Sequence, residues 1–168
     1  MSYKNSFKIS DDIIASKQMR FVNLIIDYFT KLFAFVSIIF LIQLFSEFTG
    51  SDISFDWIDD MNKIEEYLLG AIVSIIYYAI FESLTARSVG KYVTNTIVVL
   101  EDGSKPPIEA ILRRTLYRVI PFDALSFLGH NRGWHDKYTD TFVVSKSGLQ
   151  AAVKRHNDFN TIGQSEMQ

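Results

Sequence analysis

The sequence predicts an all-α membrane protein: a two-span transmembrane helical hairpin with an amphipathic interfacial helix and a small cytoplasmic β-pair. Three observations carry this expectation. Hydrophobic residues make up 48% of the 168-residue chain, yet they crowd into residues 21–45 and 67–84, whereas a globular core spreads them over every element. Charge is segregated as well, with seven acids and one base in residues 46–66 and the bases returning beyond Ala86. Two short runs outside the apolar blocks, residues 95–100 (NTIVVL) and Thr141–Ser145 (TFVVS), read as strands able to pair.

The first span covers residues 19–45. Its inner part, residues 32–45, is apolar apart from Ser37 and Gln43 but has only 14 residues. A hydrocarbon core of ~30 Å needs ~20 helical residues, so the helix must take in Lys31 and Asp27. The second span covers residues 67–86, and Glu82 is the one charge within residues 67–84. Gly70 and Ser74, four apart, offer a small-residue seam for helix packing. The first apolar stretch is too long for a signal h-region and ends at Ser46-Glu47 without a small-x-small site, so it reads as a retained helix.

Lysine and arginine bias sets orientation. It places both termini in the cytoplasm and the acidic loop, residues 46–66, outside. The domain plan is a cytoplasmic segment at 1–18, a membrane domain at 19–145 whose interfacial and cytoplasmic part is 87–145, and a cytoplasmic tail at 146–168. Asp102-Gly103 marks a turn after the first strand. Pro106-Pro107 then opens a helix over residues 108–119, with Ile108, Ile111, Leu112, Leu116 and Val119 at helical spacing and Arg113, Arg114 and Arg118 on other faces. Residues 119–128 are apolar but broken by Pro121 and Asp123, too short to span, and expected to lie in the interface or to dip in and return. From Gly148 onward one weak helix is expected before a disordered end.

Arg20, Asn23, Asp27 and Lys31 stand at i, i+3, i+7 and i+11, one face of the first span. Ser74, Tyr78, Glu82 and Thr85 make a similar stripe on the second. At 1.5 Å per residue Asp27 lies ~27 Å below Phe45 and Glu82 ~21 Å below Leu68, which puts both acids in the cytoplasmic third of the bilayer. Charges at such depth face a protein interior or a wet cavity. One reading is purely structural: Asp27 and Lys31 form an i, i+4 ion pair, Arg20 snorkels to phosphate, and Arg87 or Lys91 neutralises Glu82. The other is an ion- or solute-binding network.

No chemistry-bearing motif competes with these two readings. The chain has no cysteine, which removes disulfides and thiol nucleophiles. His130, His135 and Asp136 match no standard metal-ligand spacing, and no cofactor is expected. Trp134 reads as a headgroup-level anchor. Gly90-Lys91 lacks the upstream glycine of a P-loop, and Tyr92 stands where Ser or Thr belongs. Arg113, Arg114 and Arg118 read as contacts to anionic lipid, not to nucleic acid. Nothing forms a nucleophile–base–orienter set, so no enzyme is expected.

Four blocks, in order between residues 16 and 145, resemble the RDD family of small bacterial integral membrane proteins. They are MRFVNLIIDYF, YYAIFESLTARSVGKYVTNTIVVLEDGSKP, RRTLYRVIPFD and GWHDKYTDTFVV. By this resemblance Arg20, Asp27 and Asp136 are the family's arginine and two aspartates, and the location is the bacterial inner membrane. The third apolar segment is short and broken, a departure from a three-span plan. The resemblance and the charge stripes together suggest transport or binding of a small ion or solute, with Asp27 and Glu82 as responsive carboxylates and Arg20 with Asp136 as a cytoplasmic gate. Two spans cannot enclose a path alone, so a homo-oligomer or a membrane partner protein is implied. The alternative is a non-transporting interaction module that docks in a larger complex and binds anionic lipid. Arg20 and Asp136 are further expected to pair and clamp the two strands beneath the hairpin, with Arg114 and Arg118 as the local competitors for Asp136.

Overall fold

The structure, a computed structural model, describes residues 7–51, 53–129 and 132–165. Asp52 of the acidic loop and His130 lie outside the described residues, as do the first six residues of the N-terminal segment and the last three of the tail.

Two long helices dominate. Helix α1, Lys17–Thr49, begins where the Ser16 hydroxyl accepts the Met19 N–H at 3.3 Å, and it stops at Gly50, whose φ of 69° no continuing helix could use. Helix α2, Lys63–Thr85, begins at a capping box between Asn62 and Glu65 and ends at Ala86 in the left-handed region. Both start a turn earlier than their apolar runs suggest, because the caps and not the hydropathy fix the ends.

The surface of these helices is inverted relative to a soluble protein. Phe33, Phe40 and Phe48 of α1 are 75%, 65% and 90% exposed, while the buried residues of α1 are Arg20, Asn23, Asp27 and Ser46. Those of α2 are Tyr77, Tyr78 and Glu82. A core helix of a soluble domain shows the reverse. Both helices are long and apolar enough to cross a membrane.

The pair runs antiparallel, since Asp27 meets Tyr77 and Tyr78 while Lys31, one turn on, meets Ser74. Beyond that level the two helices diverge and a cleft of about 460 Å³ opens between them toward the loop. A Cβ built on Gly70 would touch nothing within 4 Å. The expected Gly70–Ser74 seam is therefore not a close helix contact; Ser74 serves as a hydrogen-bond acceptor instead.

A two-stranded antiparallel sheet caps the other end of the hairpin. Strand β1, Thr96–Leu100, pairs with β2, Thr141–Ser145, in a register that sets Val98 opposite Val143. One face buries Val98 and Val143 with Ala15 and Ala86, and the other buries Val99 and Val144 with Ile13. The N-terminal segment adds to the sheet through the Ile14–Val144 bridge. A short helix α3, Val89–Val93, links α2 to β1. The tail is more ordered than expected: α6, Lys146–Ser165, packs Leu149 and Ala152 against the Ile13 cluster.

Helix α4, Ile108–Tyr117, corrects the sequence reading. It was expected to lie flat in the interface. Instead it runs lengthwise along α2: Lys105 just before it caps the Ser83 and Leu84 carbonyls, and the Tyr67 hydroxyl donates to the Val119 carbonyl just after it. Its apolar positions Ile108, Leu112 and Leu116 are exposed, while Arg114 and Thr115 are buried beside Ala110 and Ile111. The chain then returns through a 3-10 turn, Asp123–Leu128, and one helical turn, α5, Trp134–Lys137, into β2.

Candidate functional site

The buried faces of α1, α2, α3, α4 and α5 meet in one polar cluster where the hairpin joins the sheet. Asp27 is 2% exposed and holds four neutral donors. They are the Ser88 hydroxyl at 2.6 Å, the Gly90 N–H at 2.7 Å, and the Tyr77 and Tyr78 hydroxyls at 2.8 and 3.3 Å. The Gly90 contact depends on α3 lying directly on α1, for a Cβ there would come within 2.5 Å of the Asn23 carbonyl oxygen. Asn23 itself ties the spans to the sheet, donating to Thr96 Oγ1 at 3.2 Å and accepting from the Thr94 hydroxyl at 2.5 Å.

The expected Asp27–Lys31 ion pair does not form. Lys31 donates to Ser74 Oγ at 2.8 Å and sits 5.1 Å from the centre of the Tyr78 ring. The same ring has the Arg118 guanidinium 3.8 Å from its centre.

Glu82, fully buried, is held by Lys91 at 2.7 Å, Arg118 at 2.9 Å and Arg114 at 3.5 Å. Arg87, offered as a partner by the sequence, instead donates to the Thr96 and Lys91 carbonyls. Arg114 reaches Asp136 at 2.5 Å with its other arm, and Asp136 also pairs with Arg20, which is itself buried. The clamp expected between Arg20 and Asp136 is present, and Arg114 doubles it by joining Asp136 to Glu82. So Arg114 and Arg118 are interior ion-pair partners and not lipid contacts. Arg113, one residue away, is exposed, as is Trp134.

Behind Asp136 stands a pair that the sequence reading missed. His135 Nδ1 lies 2.5 Å from Asp123 Oδ2, the His135 backbone N–H donates to Asp123 Oδ1 at 2.9 Å, and Nε2 faces Asp136 at 3.4 Å. Burial pulls the His135 pKa below its ordinary value. Burial also pulls Lys91 down to about 8 against the attraction of Glu82. For Asp136 burial acts upward, yet Arg114, His135 and Arg20 outweigh it and hold the carboxyl well below the usual range. Among the described residues no group of His, Asp or Glu is placed to hold a metal ion.

These side chains surround a partly open cavity of about 110 Å³ lined by Arg20, Lys31, Lys91, Arg114 and Arg118 on the cationic side. Asp27, Asp123, Asn23, Ser74 and Tyr78 complete the polar wall. Arg20 Nη2, Arg114 Nε and Arg118 Nη1 are buried with no hydrogen-bond partner among the described residues. Chemically this is a donor-rich pocket whose carboxylates are already engaged.

The RDD family model matches residues 14–140. The chain belongs to the RDD family. The match spans the whole cluster, from the Ala15 carbonyl that accepts from Arg20 to Asp136, and excludes the α6 tail. No curated protein and no solved structure matches the chain. Of the residues the resemblance to RDD proteins singles out, Arg20, Asp27 and Asp136 all lie in this cluster, although Asp27 meets neither of the other two. Gly90, Ser88 and Lys91 sit inside the second block of that resemblance, which is the signal that could have flagged them. Asp123 and His135 fall in its third and fourth blocks.

Proposed function

We propose that this RDD-family chain is a non-enzymatic, multi-pass protein of the bacterial inner membrane that binds a small ion or solute and moves it as a homo-oligomer or with a membrane partner. The observation that supports this is the charged cavity beside Lys31 and Ser74, on helices whose outer faces are apolar and exposed. Ionisable groups at such depth mark solute or ion paths. In this reading Arg20 and Asp136 close the cytoplasmic side. Neither Asp27 nor Glu82 serves as an open cation receptor, because each already carries three or four donors. Both termini are cytoplasmic and the acidic loop is external, from the lysine and arginine bias. The protein needs the lipid bilayer and no nucleic acid.

Purified protein in liposomes should form a defined oligomer and pass an ion or solute that empty liposomes exclude. A monomer that passes nothing would overturn the reading. Single cysteines at Ser54 and Ser147 test the orientation, since only position 54 should react with an impermeant reagent on intact cells.

A second reading has its own support. Glu82 and Asp136 are locked by arginines into a fixed clamp, which suits an interaction module that docks in a larger complex. The exposed Arg113 would then touch anionic lipid. A liposome-inactive protein that recovers one partner stoichiometrically supports this module.

A further inference from the structure

The ion or solute reading leaves open the sign of the charge that the cluster receives. Three features of the cavity decide it. Five of its lining side chains are cationic, Arg20, Lys31, Lys91, Arg114 and Arg118. Even with Glu82 and Asp136 pairing four of them from behind the wall, the lining carboxylates Asp27 and Asp123 leave Lys31 without a carboxylate partner among the described residues. Both carboxylates are engaged: Asp27 by four neutral donors and Asp123 by the ring and backbone of His135. The donors that remain are guanidinium N–H groups, on Arg20 and Arg114, which are 6% and 0% exposed, and on Arg118. A buried charged donor without an acceptor is costly, so such a pocket takes an acceptor.

We propose that the cavity is a binding site for a monovalent anion of halide or carboxylate size, coordinated by Arg20, Arg114 and Arg118 with Lys31 at its rim. This rests on the reading of the cluster as an ion or solute site and names the ligand class. A space of about 110 Å³ admits a halide or a carboxylate with a few waters. Lys31 is the rim because it, Ser74 and Arg118 also line the apolar cleft between the spans. The anion is therefore either free in water or the head of an amphiphile whose tail lies in that cleft. Guanidinium and carboxylate geometry suits both.

The test uses the full chain in a neutral detergent, titrated with sodium chloride, acetate and octanoate at an ionic strength held constant by a bulky organic sulfonate. Melting temperature and microcalorimetry give the half-saturating concentration. Chloride or acetate should saturate, and Lys31→Gln should raise the half-saturating concentration about tenfold, the loss of one charge-assisted hydrogen bond. Ser74→Val, which narrows the same rim without touching an ion pair, should weaken binding too, while Arg113→Gln outside the cavity should not. Octanoate binding more than tenfold tighter than acetate identifies an amphiphile as the source, and equal binding identifies a free anion. No saturable effect of any of the three, or a saturable effect unchanged in both rim variants, overturns the site. Saturable binding without liposome flux leaves the site standing and removes transport. Cation flux without saturable anion binding does the reverse.

Discussion

The two halves of the hairpin are built on opposite rules. Toward the sheet, α1 presents Arg20, Asn23 and Asp27 inward, and each bonds across to another element. Toward the loop, the same helix presents Phe33, Phe40 and Phe48 outward, and α2 leaves a cleft beside it. Hydrophobic residues drive helices together only when the alternative is water. Against lipid that drive is absent, and packing plus hydrogen bonds must hold helices together. The sheet half is where this chain places those bonds. Its variants should be costly, and those of the loop half cheap.

The largest effect is expected at Arg114. Replacing it with Met removes a partner from both Glu82 and Asp136 and leaves those carboxylates short of charge in a buried place. The cost should be ~3–5 kcal/mol of unfolding free energy, read from thermal or denaturant unfolding in detergent. Phe40→Ala, in the exposed loop half, should stay within ~0.5 kcal/mol. Equal losses at the two positions would break the comparison.

Much of the architecture could be read from the sequence, and the part that could not has one physical cause. The stripe of Arg20, Asn23 and Asp27, the strand pair and the Arg20–Asp136 clamp were all legible, because charged residues inside an apolar block have to find partners. Helix α4 was legible as a helix and misread as to face. Its spacing is sound, but reading Arg114 and Arg118 as lipid contacts on an interfacial helix missed that buried carboxylates on other elements would claim them. Its buried positions are Ala110, Ile111, Arg114 and Thr115. The Asp123–His135 pair was not legible, since its two residues sit on separate short elements, Asp123–Leu128 and α5, that only the tertiary fold brings together. Gly90 was weighed only as a P-loop fragment; its close approach to Asn23 belongs to tertiary structure.

Alkaline pH should sharpen the contrast next. Lys91 has its pKa drawn from the ordinary 10.5 to about 8 by burial. Between these values the unfolded chain keeps a proton that the folded chain has released, so stability should rise with pH over that window, by ~3 kcal/mol at most. In Lys91→Met the rise should vanish. Falling stability from pH 8 to 10.5 in the parent, abolished in the variant, would mean that the Glu82 bond dominates. On the acid side, Asp136 contributes stability above its ordinary value that is lost as pH falls toward its depressed folded one.

Glycine substitutions compare the two halves with one chemical change. Gly90→Ala sets a methyl carbon 2.5 Å from Asn23 O and 2.9 Å from its Cα, backbone atoms that cannot swing aside. It should cost ~2–3 kcal/mol and loosen the Asp27 contact to α3. Gly70→Ala meets nothing within 4 Å and should be neutral or slightly stabilising, because alanine favours helix. A costly Gly70→Ala would show that the cleft closes in the membrane and that the small-residue seam exists after all.

The smallest effect expected is the coupling between Arg20 and Asp136, and it is the most specific. Removing Arg20 leaves Asp136 still paired with Arg114, and removing Asp136 leaves Arg20 with the Ala15 carbonyl at 3.4 Å. Each loss is thus cushioned by a second partner. A cycle of Arg20→Gln and Asp136→Asn should give an interaction of ~1–2 kcal/mol, within the range for residues sharing an ion-pair network. The same cycle with Arg113→Gln in place of Arg20→Gln should be additive, because Arg113 is exposed and outside the cluster. The fold makes a further demand on the pair. Arg20 belongs to the first span and Asp136 to the turn entering β2, so their coupling measures whether hairpin and sheet unfold as one body. If the Arg20–Asp136 cycle is additive while Arg114→Met remains severe, the clamp runs from α2 through α4 to α5 and leaves α1 out. The sheet half would then owe its attachment to α1 to Asn23, Asp27 and the close contact at Gly90.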